Sequence, residues 1–251
     1  MMKSVIELLK SHRSIRRFKD IELDEGVLNE VLEAGQWAST SSFIQATSVI
    51  RISDKPLRQK FVVLTGNQKY VGTAAEFLVF CADFDRIKQR INKAQVDESH
   101  DADFSWVEQF ISATVDVALF AQNVVIAAES KGLGCCYIGG LRNDLNAVTE
   151  LLDLPKHIFP VFGLCIGIPD QEPMQKPRLP IQTLIFENKY QYSDNRHELI
   201  DHYDSHIAEY YKHRTKGRIE HTWSEQMLEL FKVETRPYIK DYLLKQGFIE
   251  K

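Results

Sequence analysis

The chain has 251 residues, an apolar fraction of 44% and a formal net charge of −4. That length and apolar content can bury a core without staples. The small negative charge supplies no global basic field for nucleic acid or an anionic membrane, so any anion site must be built locally from a few cations.

The N-terminus places Glu7, Lys10 and His12 where a secretory signal needs an unbroken apolar run. No later segment is a continuous apolar stretch of about 18 residues, so a cytoplasmic protein with no membrane segment is expected. Ser4 to Lys10 reads as a short helix with Val5, Leu8 and Leu9 on one face. A second helix starts after Asp24, its N-cap, and carries Val27, Leu28, Val31, Leu32 and Ala34 inward. Ala46 to Ile52 reads as a strand, Lys55 to Leu64 as a helix, and Phe77 to Ala82 as a buried strand.

The charged segment from Asp85 to Asp103 lacks an apolar period and reads as an exposed, mobile excursion. From Phe104 to Lys131 a helical apolar period runs long, and its apolarity predicts burial on several sides. Gly132-Leu133-Gly134 stops it, and Cys135 to Ile138 restarts as a strand. Asn143 is expected to cap a helix through Leu152, followed by a strand at Pro160 to Ile168. Pro169 to Pro180 holds four prolines and reads as an extended loop. The polar remainder predicts helices at Arg196 to Tyr211, Trp223 to Lys232 and Pro237 to Gln246. Few strands, interleaved helices and long connections fit an α+β or three-layer plan better than a doubly wound parallel sheet.

His12-Arg13-Ser14-Ile15-Arg16-Arg17 follows a helix and has no acidic neighbour before Asp20. Guanidinium forks and a hydroxyl converging in this way suit a phosphate dianion. If the turn stays helical, Arg13 and Arg16 share a face, and if it extends, Ser14 and Arg16 do. The same cluster also reads as a solvated helix end that complements the macrodipole. Lys176-Pro177-Arg178 lies in the proline loop, where the residue before proline is held extended and side chains two apart project together. It also reads as a surface turn. Two such basic pairs in an acidic protein point more to an anionic ligand than either alone.

Tyr137-Ile138-Gly139-Gly140 ends a strand, where paired glycines let a flat ligand or a phosphate approach the backbone. A dinucleotide fingerprint is rejected because Gly132-Leu133-Gly134 ends a helix and position 137 is Tyr. Ser39, Thr40, Ser41 and Ser42 followed by Phe43 could line a polar ring system, or form an ordinary Ser/Thr turn. His202 and His206, spaced i, i+4 without a third ligand, read as a solvated helix face. With Cys81, Cys135, Cys136 and Cys165 all inside apolar runs, no metal or disulfide framework is expected. Lys212, Arg214, Lys216 and Arg218 form a basic run around Gly217 that is either solvated or able to read a 2′-phosphate.

Taken together, HRSIR, the hydroxyl run ending in Phe43-Ile44-Gln45, Gly66-Asn67-Gln68, Ala127 to Gly134, Tyr137 to Asn143, Lys176 to Pro180 and Thr222-Trp223-Ser224 resemble the oxygen-insensitive NADPH nitroreductase / NADPH-flavin oxidoreductase family. The motifs occur in family order and span nearly the whole chain. The resemblance implies a single nitroreductase-like FMN-binding domain over residues 1–251, with the excursion at 85–103 and a C-terminal helical extension from about 195. Its fold would be a three-layer α/β/α plan with a mixed, mainly antiparallel sheet and a C-terminal arm packing on the partner of a homodimer.

FMN would sit at the subunit interface, bound by His12, Arg13, Ser14, Ile15, Arg16, Gln68, Tyr137, Ile138, Gly139, Gly140, Lys176, Pro177 and Arg178. Ser39, Thr40 and Ser41 would come from the other subunit. Arg214, Lys216 and Arg218 would select NADPH, with Phe43 and Arg236 near the substrate mouth. The implied reaction is ping-pong hydride transfer from NADPH to FMN, then two-electron reduction of nitroaromatics, quinones or free flavin, with the chemistry on FMN rather than on a protein catalytic residue. The other function classes that fit are an FMN-binding carrier or sensor without turnover and a soluble α+β phosphometabolite-binding domain. Three departures stand out: Thr40 where serine is usual, Cys135-Cys136 in place of a smaller or apolar pair, and the length of the excursion.

Overall fold

The structure, a computed structural model, describes residues 4–93, 102–191, 193 and 195–251. Internal contacts divide the chain into two compact units, one of Met1–Glu172 with Arg236–Lys251 and one of Pro173–Thr235.

The first unit is built on a four-stranded sheet in the order β1 (Thr47–Arg51), β2 (Glu76–Asp83), β4 (Ile158–Gly167), β3 (Gly134–Ile138). All three strand pairings are antiparallel, and the parallel element is one isolated bridge between Ser14 and Cys135. β2 is buried along its whole length, and alternation of its side chains feeds two cores. Leu78, Phe80 and Ala82 join a cluster with Leu28 and Val31 of α2 (Glu25–Gln36) and with Val117, Ala121 and Val124 of α6 (Val107–Ser130). Phe77, Val79 and Cys81 join Phe61 of α3 (Lys55–Leu64), Val71 of α4 (Tyr70–Thr73) and Val148 of α7 (Leu145–Leu151) on the opposite face. Helices on both faces of one sheet make the three layers, and each large side chain so buried contributes roughly 1.5–3 kcal/mol.

Local chemistry explains the helix ends. Ser4 and Glu7 form a reciprocal capping box on α1 (Val5–Lys10), and the Asp24 carboxylate accepts from the Gly26 and Val27 amides at the start of α2. Gly132 terminates α6 with φ +79°, so that its own N–H reaches Glu129 O at 3.0 Å and Leu133 N–H reaches Ala128 O at 3.0 Å. A side chain there would be strained.

Three expectations are corrected. α7 is capped by Asp144, whose carboxylate accepts from the Ala147 amide, and Asn143 instead ends a 3₁₀ turn at Gly139–Asn143. Part of the charged segment folds as α5 (Asp85–Lys93), while residues 94–101 of it lie outside the described residues. Helix α8 (Arg196–Thr215) runs past Tyr211, which places Lys212 and Arg214 on its last turn instead of in a loop.

Of the C-terminal stretch, Arg236–Lys251 belongs to the first unit, where Tyr242, Leu243 and Phe248 are buried in the first core. Tyr242 and Leu243 lie within α10 (Ile239–Lys245), and Phe248 follows its exit. The second unit contains α8 and α9 (Trp223–Phe231). Its Thr222-Trp223-Ser224 motif is structural: Thr222 and Glu225 form a capping box, the Ser224 amide donates to Asp204 at 2.9 Å, and the Trp223 ring meets Tyr203 edge-on at 6.0 Å. Helix α6 is the one described helix long and apolar enough to cross a membrane by composition, with a mean hydropathy of 1.7. Its buried side nevertheless carries Val117, Ala121, Val124, Val125 and Ala128 into the core.

Candidate functional site

The segment after α1 is extended, since Ser14 bridges Cys135 and the Ile15 amide donates to Cys135 O at 2.9 Å. Alternation therefore buries Ile15 in the second core and leaves Arg16 exposed on the side that Ser14 shares. His12 Nδ1 meets Glu129 Oε1 at 2.6 Å, and Arg13 reaches Glu172 at 3.1 Å through one terminal nitrogen. Arg13 Nε is buried with no hydrogen-bond partner among the described residues. An unpartnered guanidinium N–H costs free energy, and an anionic acceptor would relieve it.

The second element is the turn after β3. A Cβ on Gly140 would lie 2.5 Å from Thr65 O and 2.7 Å from Gln68 Nε2, so glycine is required for the Tyr137–Gly140 backbone to sit against the end of α3. Gln68 is held from both ends, with Nε2 donating to Thr65 O at 2.6 Å and Oε1 accepting from the Tyr70 hydroxyl. Burial pushes the Tyr70 hydroxyl up in pKa, while the Arg16 guanidinium beside it pulls the other way. Arg16, the bonded pair Gln68 and Tyr70, and Gly140 thus lie together, although they come from three separate stretches of sequence. The Ile138 side chain is buried in the second core, and the Tyr137 ring is partly exposed against Phe162 at 5.1 Å.

The hydroxyl turn is tied elsewhere. Ser41 N–H donates to Asp116 Oδ1 at 2.9 Å, Gln45 N–H to Thr40 Oγ1 at 3.3 Å, and Arg86 to Gln45 O at 2.8 Å. Ser39 and Ser41 are exposed, and Phe43 is 80% exposed with φ +56°.

In the second unit, Lys176 Nζ donates to the Tyr211 hydroxyl at 2.9 Å, Arg178 to Lys176 O at 2.9 Å, and the Tyr203 hydroxyl to Pro177 O at 3.3 Å. The basic run has Lys212 paired with Glu220 at 3.0 Å, Arg214 on the Tyr210 hydroxyl at 3.1 Å, Lys216 as a left-handed C-cap and Arg218 folded onto Thr215 O at 3.1 Å. Arg236 belongs to the first unit. With φ +60°, it directs Nε and one terminal nitrogen onto Asn143 Oδ1 at 3.2 and 3.0 Å.

Glu129, Tyr70 and Asp116 were not read as site residues from sequence, and Asn143 was read only as a helix cap. Two carried a signal: Glu129 is acidic in the last turn of a helix, where the macrodipole disfavours it, and Asp116 is a lone acid inside an apolar series. Burial pushes the thiols of Cys81, Cys135, Cys136 and Cys165 up in pKa, which argues against a thiolate nucleophile. Among the described residues no three His, Cys, Asp or Glu side chains gather to hold a metal. The arrangement offers cations, the Tyr137–Gly140 backbone and a fixed Gln68 amide, which is chemistry for binding an anionic, flat molecule.

The pattern described as "Nitroreductase family" matches residues 9–168, and "Nitroreductase family, C-terminal domain" matches residues 176–251. The chain belongs to the nitroreductase family. Within it, the chain is 46% identical over 247 residues to an oxygen-insensitive NADPH nitroreductase of Salmonella typhimurium, covering 98% of this chain and 99% of the relative. It is 44% identical to an FMN reductase (NADPH) of Bacillus subtilis, with coverage of 98% and 99%. Among solved nitroreductase-family structures, a B. subtilis nitroreductase superposes with a TM-score of 0.93 at 42% identity, over 99% of this chain and all of the other. The NADPH:FMN oxidoreductase of Vibrio harveyi, solved with NAD+, gives 0.88 at 38% identity over 98% and 99%.

Proposed function

We infer that this nitroreductase-family chain is an FMN-dependent NADPH oxidoreductase. The observation that carries the reading is the set of Arg16, Tyr70, Gln68 and Gly140, with the orphaned Nε of Arg13, in a chain whose relatives are named for NADPH, FMN and nitro-group reduction. FMN fits these residues: the orphaned Arg13 Nε and the Arg16 guanidinium suit its phosphate, and the Tyr137–Gly140 backbone seated against α3 with the fixed Gln68 amide suits its ring edge. When bound, FMN supplies the two-electron chemistry that links NADPH to an acceptor such as a nitroaromatic, a quinone or free flavin.

The chain's own residues bind and orient. His12, Arg13, Ser14 and Arg16 hold the phosphate, with Ile15, Tyr137, Ile138 and Gly139 contributing backbone. Gln68, locked by Tyr70 and Thr65, presents a fixed amide to the ring edge. Lys176 and Arg178 supply further positive charge suited to a reduced, anionic cofactor, and Pro177 between them holds Lys176 extended. Arg214, Lys216 and Arg218 read the NADPH 2′-phosphate, and Phe43 and Arg236 bound the acceptor's space.

The protein acts as a homodimer, each subunit lending Ser39, Thr40 and Ser41 to the other's cofactor, and all 251 residues serve one FMN-binding domain. Support comes from α6, where Val107, Ile111, Val115 and Leu119 run along one side at four-residue spacing and are exposed, as is Trp37. A continuous apolar stripe of this kind marks an interaction surface. Four free cysteines suit the cytoplasm. The cosubstrate assignment is tested by comparing kcat/KM for NADPH and NADH in the wild type, Arg214→Ala and Arg218→Ala. Loss of a phosphate contact should cut NADPH preference about tenfold or more, and unchanged preference in both variants would remove the assignment.

A further inference from the structure

We propose that Asp116 is a positioning residue that holds the Ser39–Ser41 turn in its cofactor-binding conformation. The proposal rests on the reading that this turn meets the flavin.

Asp116 lies in the middle of α6 and is 2% exposed. Oδ1 accepts the Ser41 N–H at 2.9 Å, and Oδ2 is buried without a hydrogen-bond partner among the described residues. Burial raises the carboxyl's pKa, and the Ser41 amide is the interaction that opposes the rise. A half-satisfied buried acid weakens a fold, and an apolar residue would suit its neighbours on α6, Ala113, Val117 and Ala121, better. Its position is explained by what it restrains.

The turn beside it is strained. Ser42, Phe43 and Gln45 take φ of +47°, +56° and +54°, a region that residues with a Cβ seldom occupy unless their surroundings enforce it. Arg86 fixes the far end through Gln45 O and Thr47 O, and Asp116 fixes the near end through Ser41. Ser39 and Ser41 at the near anchor and Phe43 between the two anchors stay exposed, displayed to a ligand. The carboxylate bonds a backbone amide, so the Ser41 hydroxyl is left for the cofactor.

The test uses full-length Asp116→Leu and Asp116→Asn, with FMN titrated onto the apoprotein by fluorescence and thermal midpoints measured in parallel. Asp116→Leu should melt at or above the wild-type temperature yet bind FMN about tenfold more weakly, as expected for loss of one buried hydrogen bond that fixes the binding conformation. Asp116→Asn keeps an acceptor for Ser41 N–H and should stay within about threefold of wild type. If Asp116→Leu does not fold, Asp116→Ala takes its place with the same expectation for FMN. Wild-type affinity in the apolar variant, or equal weakening in Asp116→Asn, overturns the positioning role. Ser39→Ala and Ser41→Ala separate the two layers. If both bind FMN as wild type does, the reading of the turn fails and the proposal with it. If they weaken FMN while the apolar Asp116 variant does not, Asp116 alone loses its role.

Discussion

At the scale of single residues, the site is made by side chains that are each restrained by a second group. Gln68 has its amide fixed by Thr65 and Tyr70, Arg236 is held on Asn143, and His12 is held on Glu129. Gly140 restrains by having no side chain, because a Cβ would meet Thr65 O at 2.5 Å. That contact is with backbone and cannot be relieved by a rotamer change. Gly140→Ala should therefore displace the turn and weaken FMN binding about tenfold or more, while far-UV circular dichroism stays that of the wild type. Undiminished affinity in a folded Gly140→Ala protein would mean that the turn is not part of the flavin site.

Helices and strands place these residues, and most were legible because their signals are local. Asp24, the Gly132 stop and the apolar period of α6 act within a few residues and lie where the pattern put them. Signals that depend on contacts far along the chain were not legible. Tyr70 matters because it fixes Gln68 beside Arg16, and Asn143 because Arg236 reaches it, and neither placement leaves a periodic trace. Asn143 was mistaken for a cap because it and Asp144 are both good caps and adjacent, and the side chain with a long-range partner lost that role.

A further prediction belongs to the corner where α10's exit meets the start of β4. His157 accepts from Lys88 Nζ at 3.1 Å and packs near Phe104 and Phe248, with ring centroids at 5.9 and 6.2 Å. Burial first, and Lys88 second, lower its pKa below the ordinary 6.5. An unfolded chain binds this proton at a higher pH than the folded one, so stability is present above about pH 6.5 and is lost as pH falls through the folded value. His157→Phe should show a smaller drop in thermal midpoint between pH 7 and pH 5 than the wild type. An equal drop would remove His157 from the pH response.

At the scale of the whole molecule, both family patterns and relatives matched end to end cover the two units. What a single chain cannot bury is the apolar side of α6, where Ile111 and Val115 are each 51% exposed. In the proposed homodimer these residues would be covered. Ile111→Lys with Val115→Lys should shift the protein to monomer in sedimentation velocity and release FMN, because the hydroxyl turn then has no partner to serve. A dimer that persists would place the interface elsewhere.

The central claim is that this chain passes reducing equivalents from NADPH through bound FMN. It is tested most directly by adding NADPH or NADH anaerobically to the purified protein and following the flavin absorbance by stopped flow. A yellow protein bleached rapidly by NADPH, more slowly by NADH, and restored to yellow by a nitroaromatic or a quinone is the predicted result. A colourless preparation that takes up no FMN, or bound FMN that NADPH leaves unbleached, would contradict it.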